Sequence, residues 1–404
     1  MALRVIAAAV AALMALHAVL LFGLLGVNEI PWLAAGLFVV CLLPRPQNSL
    51  LLSGSVLGAA LALAFLVSAT GIDEPLYFKP TTRLLDYDFS HGYQIFEPNS
   101  SVEMTEPFGA LKAKTTQDVQ SQEKFVRFVT DSRGFRNDGD YSGEPYLLVG
   151  DSFVVSTSVT QEQMLSRQLA EIGVRGYNVA AVGGDLTDYV RWMQDFYDET
   201  AGDPEVLLFF FEGNDFFRVE AGAPRPGFLE RYRDLFRFMP LGKYAFTQFN
   251  RFKKKTDEDT VETRLVGGRQ MLFYDRYIEV CRRKNYDGGR DFTELLSRIA
   301  EKTRMVYFIP AKYRIYAPLA ENGAEADLPN AQWEYLSAEC AGLGLTCVDL
   351  TPAVAARAGR LLPQGRFTYY LDDTHWNAEG IAAAAEEVRA SLERSAGNQP
   401  ERGN

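Results

Sequence analysis

Histidine is scarce in this sequence: the 404 residues hold three, at positions 17, 91 and 375. A mechanism that needs an imidazole base therefore has few candidates. Cysteine is almost as rare, with four in all. Cys41 falls in an apolar run and Cys281 stands alone, while Cys340 and Cys347 flank "CAGLGLTC". That spacing closes a small loop between a helix and a strand if the two are bonded; a pair of reduced, buried cysteines is the ordinary alternative. Basic residues are outnumbered, 41 Lys and Arg against 52 Asp and Glu, giving a net charge of −11. Such a chain is not built for nucleic acid, and its one basic cluster, "RFKKK" at 251–255, is local. Repeats, low-complexity tracts and phosphate-cradling glycine loops are also missing. "NSS" at 99–101 is formally a glycosylation sequon and carries little weight.

Apolar residues are plentiful at the front. Residues 5–27 and 48–72 are each long enough to cross a bilayer as a helix, and 30–44 is shorter, able to span a thinned bilayer or to lie as a re-entrant hairpin. No small-x-small cleavage site separates the first run from the next, which favours an anchor over a signal peptide. Arg4 and Arg45 flank one side and Glu29, Asp73 and Glu74 the other. With three spans the positive-inside rule puts everything after residue 73 outside the cytoplasm; with two it does not. The expectation is an inner-membrane anchor over 1–75 carrying an extracytoplasmic, periplasmic domain.

Residues 76–140 mix aromatic, proline and asparagine signals without helical period and read as an irregular, partly β stalk. From 141 to 396 the pattern alternates. Strands are expected at 146–149, 177–182, 206–211, 304–309 and 345–349, with amphipathic helices between them. Thr160 and Gln163 form a capping-box signature ahead of a helix whose Leu165, Leu169 and Ile172 share a face. Near-continuous apolar strands with helical crossovers imply an α/β domain with a five-stranded parallel sheet covered on both faces. Residues 217–290 interrupt the alternation as a lid or an inserted packing element, and 397–404 read as a disordered tail.

Ligands bind beyond the carboxyl ends of such strands, and there the useful polar residues collect. The first strand ends in "GDS" with Ser152, the second in "VGGD" with Gly183, the third in "EGND" with Asn214, and "LDDTHWN" with His375 precedes the last helix. Each is weak alone. Together they supply a nucleophile (Ser152), a base (His375, since His17 lies in an apolar run and His91 in the stalk), and carboxylates two and three residues before the base. Oxyanion donors would be the Ser152 and Gly183 N–H groups and the Asn214 amide.

Across about 130–395 these blocks, with "RGFRND" ahead of them, resemble the SGNH hydrolases, also called GDSL-type lipases and esterases. The resemblance implies a three-layer α/β/α flavodoxin-like fold and acyl chemistry through an acyl-serine, with no metal or organic cofactor. Its common last block, D-x-x-H, selects Asp372; "DTHW" is similar to the D-x-H-W form of the alginate O-acetyltransferase branch and selects Asp373, which Trp376 favours. The expected function is removal of acyl groups, acetyl first among them, from extracytoplasmic carbohydrate by a membrane-embedded serine esterase. The alternatives are an O-acetyltransferase acting on an exported polysaccharide, which needs a partner protein to deliver acetyl groups, and a non-catalytic glycan-binding scaffold.

Overall fold

The computed structural model of the protein describes residues 79–115, 117–216, 227, 231, 260–321 and 324–397. Among these no helix is long and apolar enough to cross a membrane; the apolar runs 5–27, 30–44 and 48–72 lie outside the described residues. The chain forms two compact units, one of Met1–Tyr77, Asp86–Tyr93 and Pro224–Glu258, the other of Phe78–Leu85, Gln94–Ala223 and Asp259–Asn404. In the first, Arg231 donates to the carbonyls of Phe89 and Ser90, and His91 Nδ1 lies 2.6 Å from Asp88 Oδ2.

The larger unit is an α/β fold. In chain order the elements are α1 (Pro80–Leu84), β1 (Leu85–Asp88), β2 (Tyr93–Phe96), β3 (Ser101–Glu106), β4 (Lys124–Val129), β5 (Tyr146–Gly150), α2 (Ser152–Val155), α3 (Leu165–Glu171), β6 (Gly176–Ala180), α4 (Leu186–Glu199) and β7 (Glu205–Phe211), with Asp86–Asp88 of β1 and Tyr93 of β2 assigned to the first unit. There follow β8 (Val261–Val266), β9 (Arg269–Tyr274), α5 (Asp275–Cys281), α6 (Gly289–Ile299), β10 (Thr303–Ile309), α7 (Lys312–Tyr316), α8 (Ala331–Leu343), β11 (Cys347–Asp349), α9 (Thr351–Leu361) and α10 (Ala378–Gly397).

Five strands make one parallel sheet in the order β6-β5-β7-β10-β11. Counted along the chain that is 2-1-3-4-5, so the crossovers reverse direction between β5 and β7, and a ligand crevice belongs at the carboxyl edge there. Strand alternation explains why the runs are apolar throughout. Phe209, Phe211, Tyr307 and Ile309 join Val388 and Leu392 of α10 in one core, and Tyr307 Oη lies 3.0 Å from Ser391 Oγ. Phe210 points to the opposite face, its ring 6.0 Å from Tyr189 of α4 and 5.6 Å from Phe292 of α6. Burying each such side chain is worth about 1.5–3 kcal/mol, and a polar group on either face needs a hydrogen-bond partner, as Asn178 of β6 finds in Val154 O. The expected five-stranded sheet is present, with strand bounds within two residues of the reading.

Several expectations change. Thr160 caps no α-helix: Gln161–Gln163 is a single 3₁₀ turn, α3 starts only at Leu165, and Thr160 Oγ1 instead accepts from Arg127 N at 3.1 Å. The capping box that does form is on α4, where Asp185 accepts from Thr187 N and Asp188 reaches back to Asp185 N. Of the stretch read as a stalk, 79–85 and everything from residue 94 onward belong to the larger unit, with Phe96 and Phe128 fully buried and their rings 5.0 Å apart. No unit boundary falls at 141. Within the 217–290 interruption, β8 and β9 form a hairpin turned by Gly267 and Gly268, both at positive φ. The hairpin buries Val266, Met271 and Phe273 in the main core, so this part is a packing element. Cys340 and Cys347 are bonded, tying α8 to β11, and Cys281 is free and buried.

Candidate active site

Ser152 owes its place to a sharp strand-to-helix turn. A side chain at Gly150 would put its Cβ 2.5 Å from Val154 Cγ2 and 3.2 Å from Phe209, so only glycine lets the chain turn there. Asp151 is extended, and its carboxylate accepts from Phe153 N at 2.9 Å as the N-cap of α2. The helix lasts four residues and ends at Ser156 in the left-handed region. Ser152 is thereby held at the carboxyl edge of β5, half-buried.

His375 comes from the loop between a short bridge at Tyr369 and helix α10. Phe153 packs against His375 and Trp376, with centroids 5.0 and 5.2 Å away. Asn377 Oδ1 accepts from Glu379 N and Gly380 N and so caps α10. Gly380 is required because a Cβ would lie 2.2 Å from Thr368 O. On this frame His375 Nε2 sits 2.9 Å from Ser152 Oγ and Nδ1 sits 2.7 Å from Asp373 Oδ1. Serine, imidazole and carboxylate form one hydrogen-bonded relay.

The two adjacent carboxylates do different work. Asp373 is fully buried and its Oδ2 accepts from Ala110 N at 2.8 Å and pairs with Lys79 Nζ at 2.5 Å. Asp372, also fully buried, turns the other way. Its Oδ2 accepts from Gly109 N and Gln122 N at 2.8 and 2.9 Å, and its carbonyl accepts from Leu111 N and Lys112 N. Gly109 approaches so closely that a Cβ there would lie 2.3 Å from Asp372 O. Asp372 thus pins the 109–122 segment, and of the two carboxylates it is Asp373 that meets the His375 ring.

The remaining candidates flank Ser152. Gly183 follows β6, at φ +73° with open space where a Cβ would stand, and is exposed. Asn214 follows β7, and its amide hydrogen-bonds the Asp151 carboxylate. Because β6 and β7 lie on either side of β5, both reach the edge that carries Ser152. His91 belongs to the other unit, and His17 lies outside the described residues. Beneath the site the carboxylates are crowded: burial, and then Asp151, push Asp215 well above the usual range, while Asp215 Oδ2 accepts from Phe211 N and Tyr189 Oη, each at 2.7 Å. Burial raises Asp151 too. Among the described residues no group of His, Cys, Asp and Glu could hold a metal ion.

Residues 279–403 match the family model described as SGNH hydrolase-like domain, acetyltransferase AlgX. The matched segment holds Asp373, His375 and Trp376 but neither Ser152 nor the glycine and asparagine blocks. No curated protein matches the chain.

The candidate site also rests on residues that the sequence pattern did not single out. Arg136, inside the "RGFRND" block, is fully buried and donates to the carbonyls of Arg127, Val155, Ser156 and Val159 and to Gln161 Oε1. It clamps the loop that follows Ser152. Asn137 ties the same block to β6 by bonds to and from the Asn178 backbone, each 2.9 Å. Lys312 donates to the carbonyls of Tyr370, Leu371 and Asp373, fixing the loop ahead of His375. Burial lowers Lys312 to about 7, against the opposing pull of Asp373 and Asp372. The "RGFRND" block could have pointed to Arg136; nothing in the sequence pointed to Lys79 or Lys312.

Proposed function

We propose that the protein is an SGNH-type O-acetyltransferase that places acetyl groups on an exported polysaccharide through an acyl-serine intermediate. The observation that carries this is the relay Ser152–His375–Asp373 at 2.9 and 2.7 Å, whose last two members lie in the segment matching the acetyltransferase family model. That match favours transfer over the esterase expected from sequence. A non-catalytic scaffold has no use for such a relay.

In this mechanism Ser152 Oγ attacks the acetyl carbonyl while His375 Nε2 takes its proton, with Asp373 holding Nδ1–H and balancing the imidazolium. The tetrahedral oxyanion would be met by the N–H groups of Ser152 and Gly183 and the amide of Asn214, each such donor contributing about 100- to 1000-fold. His375 returns the proton to the leaving group. A sugar hydroxyl then attacks the acyl-serine, giving its proton to His375, which passes it back to Ser152 as the ester departs.

The three-layer flavodoxin-like arrangement of the family is supported by the 2-1-3-4-5 strand order and by helices on both sheet faces. An extracytoplasmic location for the domain is supported by the Cys340–Cys347 bond, which suits an oxidising compartment, and the inner-membrane anchor by the apolar runs ahead of residue 73. The acetyl donor would reach the site through a partner protein. The test is the full chain with an activated acetyl ester and an oligosaccharide acceptor, followed by mass spectrometry of the sugar. Ser152-dependent acetylation supports transfer; Ser152-dependent release of acetate alone, with every acceptor offered, returns the protein to the esterases.

A further inference from the structure

The acid of the relay is held by two lysines that come from far earlier in the chain. Lys79, just before α1, and Lys124, the first residue of β4, place their Nζ atoms 2.5 and 3.6 Å from Asp373 Oδ2. Their side chains are 7% and 6% exposed, so neither is a solvated surface charge. Lys124 also pairs with the fully buried Glu106 at 3.0 Å and lies 4.2 Å from the centre of the Tyr370 ring.

We propose that Lys79 and Lys124 are positioning residues of the acyl-transfer site: by occupying Asp373 Oδ2 they leave Oδ1 to His375 Nδ1, and they set how strongly the carboxylate favours the imidazolium. The inference rests on the acyl-serine reading above. Two donors, Lys79 Nζ and Ala110 N, bond Oδ2 and the Lys124 ammonium pairs with it at 3.6 Å, while Oδ1 receives the imidazole and the His375 backbone N–H. The carboxylate therefore cannot rotate without giving up buried ion pairs, which fixes the ring orientation and its tautomer. Burial alone would raise Asp373, yet Lys79 and Lys124 hold it well below the usual carboxylate range. The charges facing it are Lys79, Lys124 and His375, with Lys312 on its carbonyl, Glu106 behind Lys124, and Asp372 and Tyr370 beside it. Two lysines against Asp373 and Glu106 leave the cluster nearly neutral, so the imidazolium gains less from Asp373 than it would from an unpaired carboxylate.

Removing one lysine should strengthen that pull. In the full chain, Lys79→Met is expected to move the acid limb of kcat/KM for p-nitrophenyl acetate upward by about one pH unit, as one uncompensated charge close by does. Lys79→Arg should restore the wild-type limb, and Lys124→Met should move it in the same direction by less, since that lysine is further off and shared with Glu106. The His375 ring proton, assigned by its loss in His375→Gln and followed by NMR on a Ser152→Ala background, should shift its titration midpoint likewise. Because that measurement needs no turnover, it separates failure of this inference from failure of the acyl-transfer reading. Lys79→Gln, smaller and polar, is the second variant should Lys79→Met not fold. Folded variants whose limb and ring titration both stay at the wild-type position would overturn the proposal and leave the lysines as structural ion pairs.

Discussion

Exchanging each of the paired aspartates for asparagine separates their roles. Asp373→Asn removes the charge that orients His375 and also leaves Lys79 buried without its anion. The first effect is expected to lower turnover by about 1000- to 10,000-fold, the cost of offering an amide where the imidazole needs a carboxylate. The second should cost about 3–5 kcal/mol, because breaking a buried pair strands the partner charge. Asp372→Asn behaves differently. Its Oδ2 accepts two backbone N–H bonds that an amide oxygen can also accept, more weakly, and its partners are main-chain groups rather than His375. Turnover should stay within about threefold of wild type and stability within about 1–2 kcal/mol, the scale of altered hydrogen bonding to one buried polar atom. The assays are nitrophenol release from p-nitrophenyl acetate and urea unfolding. An Asp372→Asn protein that folds but is inactive, beside an active Asp373→Asn protein, would refute this division.

Three further outcomes follow from the same contacts. Arg136→Leu should lower stability by about 3 kcal/mol or more, since four main-chain carbonyls lose a charged donor; an unchanged urea midpoint would contradict it. Replacing Cys340 and Cys347 by serine should cost about 2 kcal/mol, the entropy of a loop with a sequence separation of 7, and calorimetry with and without reductant reads it. The pH dependence comes from Asp373, whose folded pKa lies well below its ordinary 3.8. The native state then binds fewer protons than the unfolded chain, so the stabilisation is full above about pH 4 and is lost as pH falls toward the folded value. The gap in urea midpoint between wild type and Asp373→Asn should accordingly narrow on going from pH 6 to pH 3, and a constant gap would count against the ion-pair account.

The sheet was legible because both its faces are covered: Phe209 and Phe210 point opposite ways yet are equally buried, which leaves an unbroken apolar run as the signature. Ser152 and His375 were legible through strand-end chemistry and the scarcity of histidine. Asp372 and Asp373 were harder, since their difference lies in which way two neighbouring side chains turn. That is set by Gly109 and Ala110, which the linear pattern does not connect to them. Lys79 was beyond reach for the same reason: it meets Asp373 across a separation of 294 residues. The Thr160 signature failed because its Oγ1 accepts a tertiary hydrogen bond from Arg127 N in place of the local cap. The β8–β9 hairpin was missed although "VGGR" between two apolar runs is a turn signal; charged residues in both strands, Glu262 and Arg264 among them, obscured the alternation.

The most direct test of the account is whether acetyl passes through Ser152. Full-length protein, its Ser152→Ala and His375→Ala variants, an acetyl ester and an oligosaccharide acceptor are combined, quenched early, and analysed by mass spectrometry for an added acetyl on the Ser152 peptide and on the sugar. The account expects both in wild type, and in Ser152→Ala neither acetyl on that peptide nor acetylated sugar. In His375→Ala it expects a loss of about 100-fold or more. Equal acetylation of the sugar by wild type and both variants would contradict it.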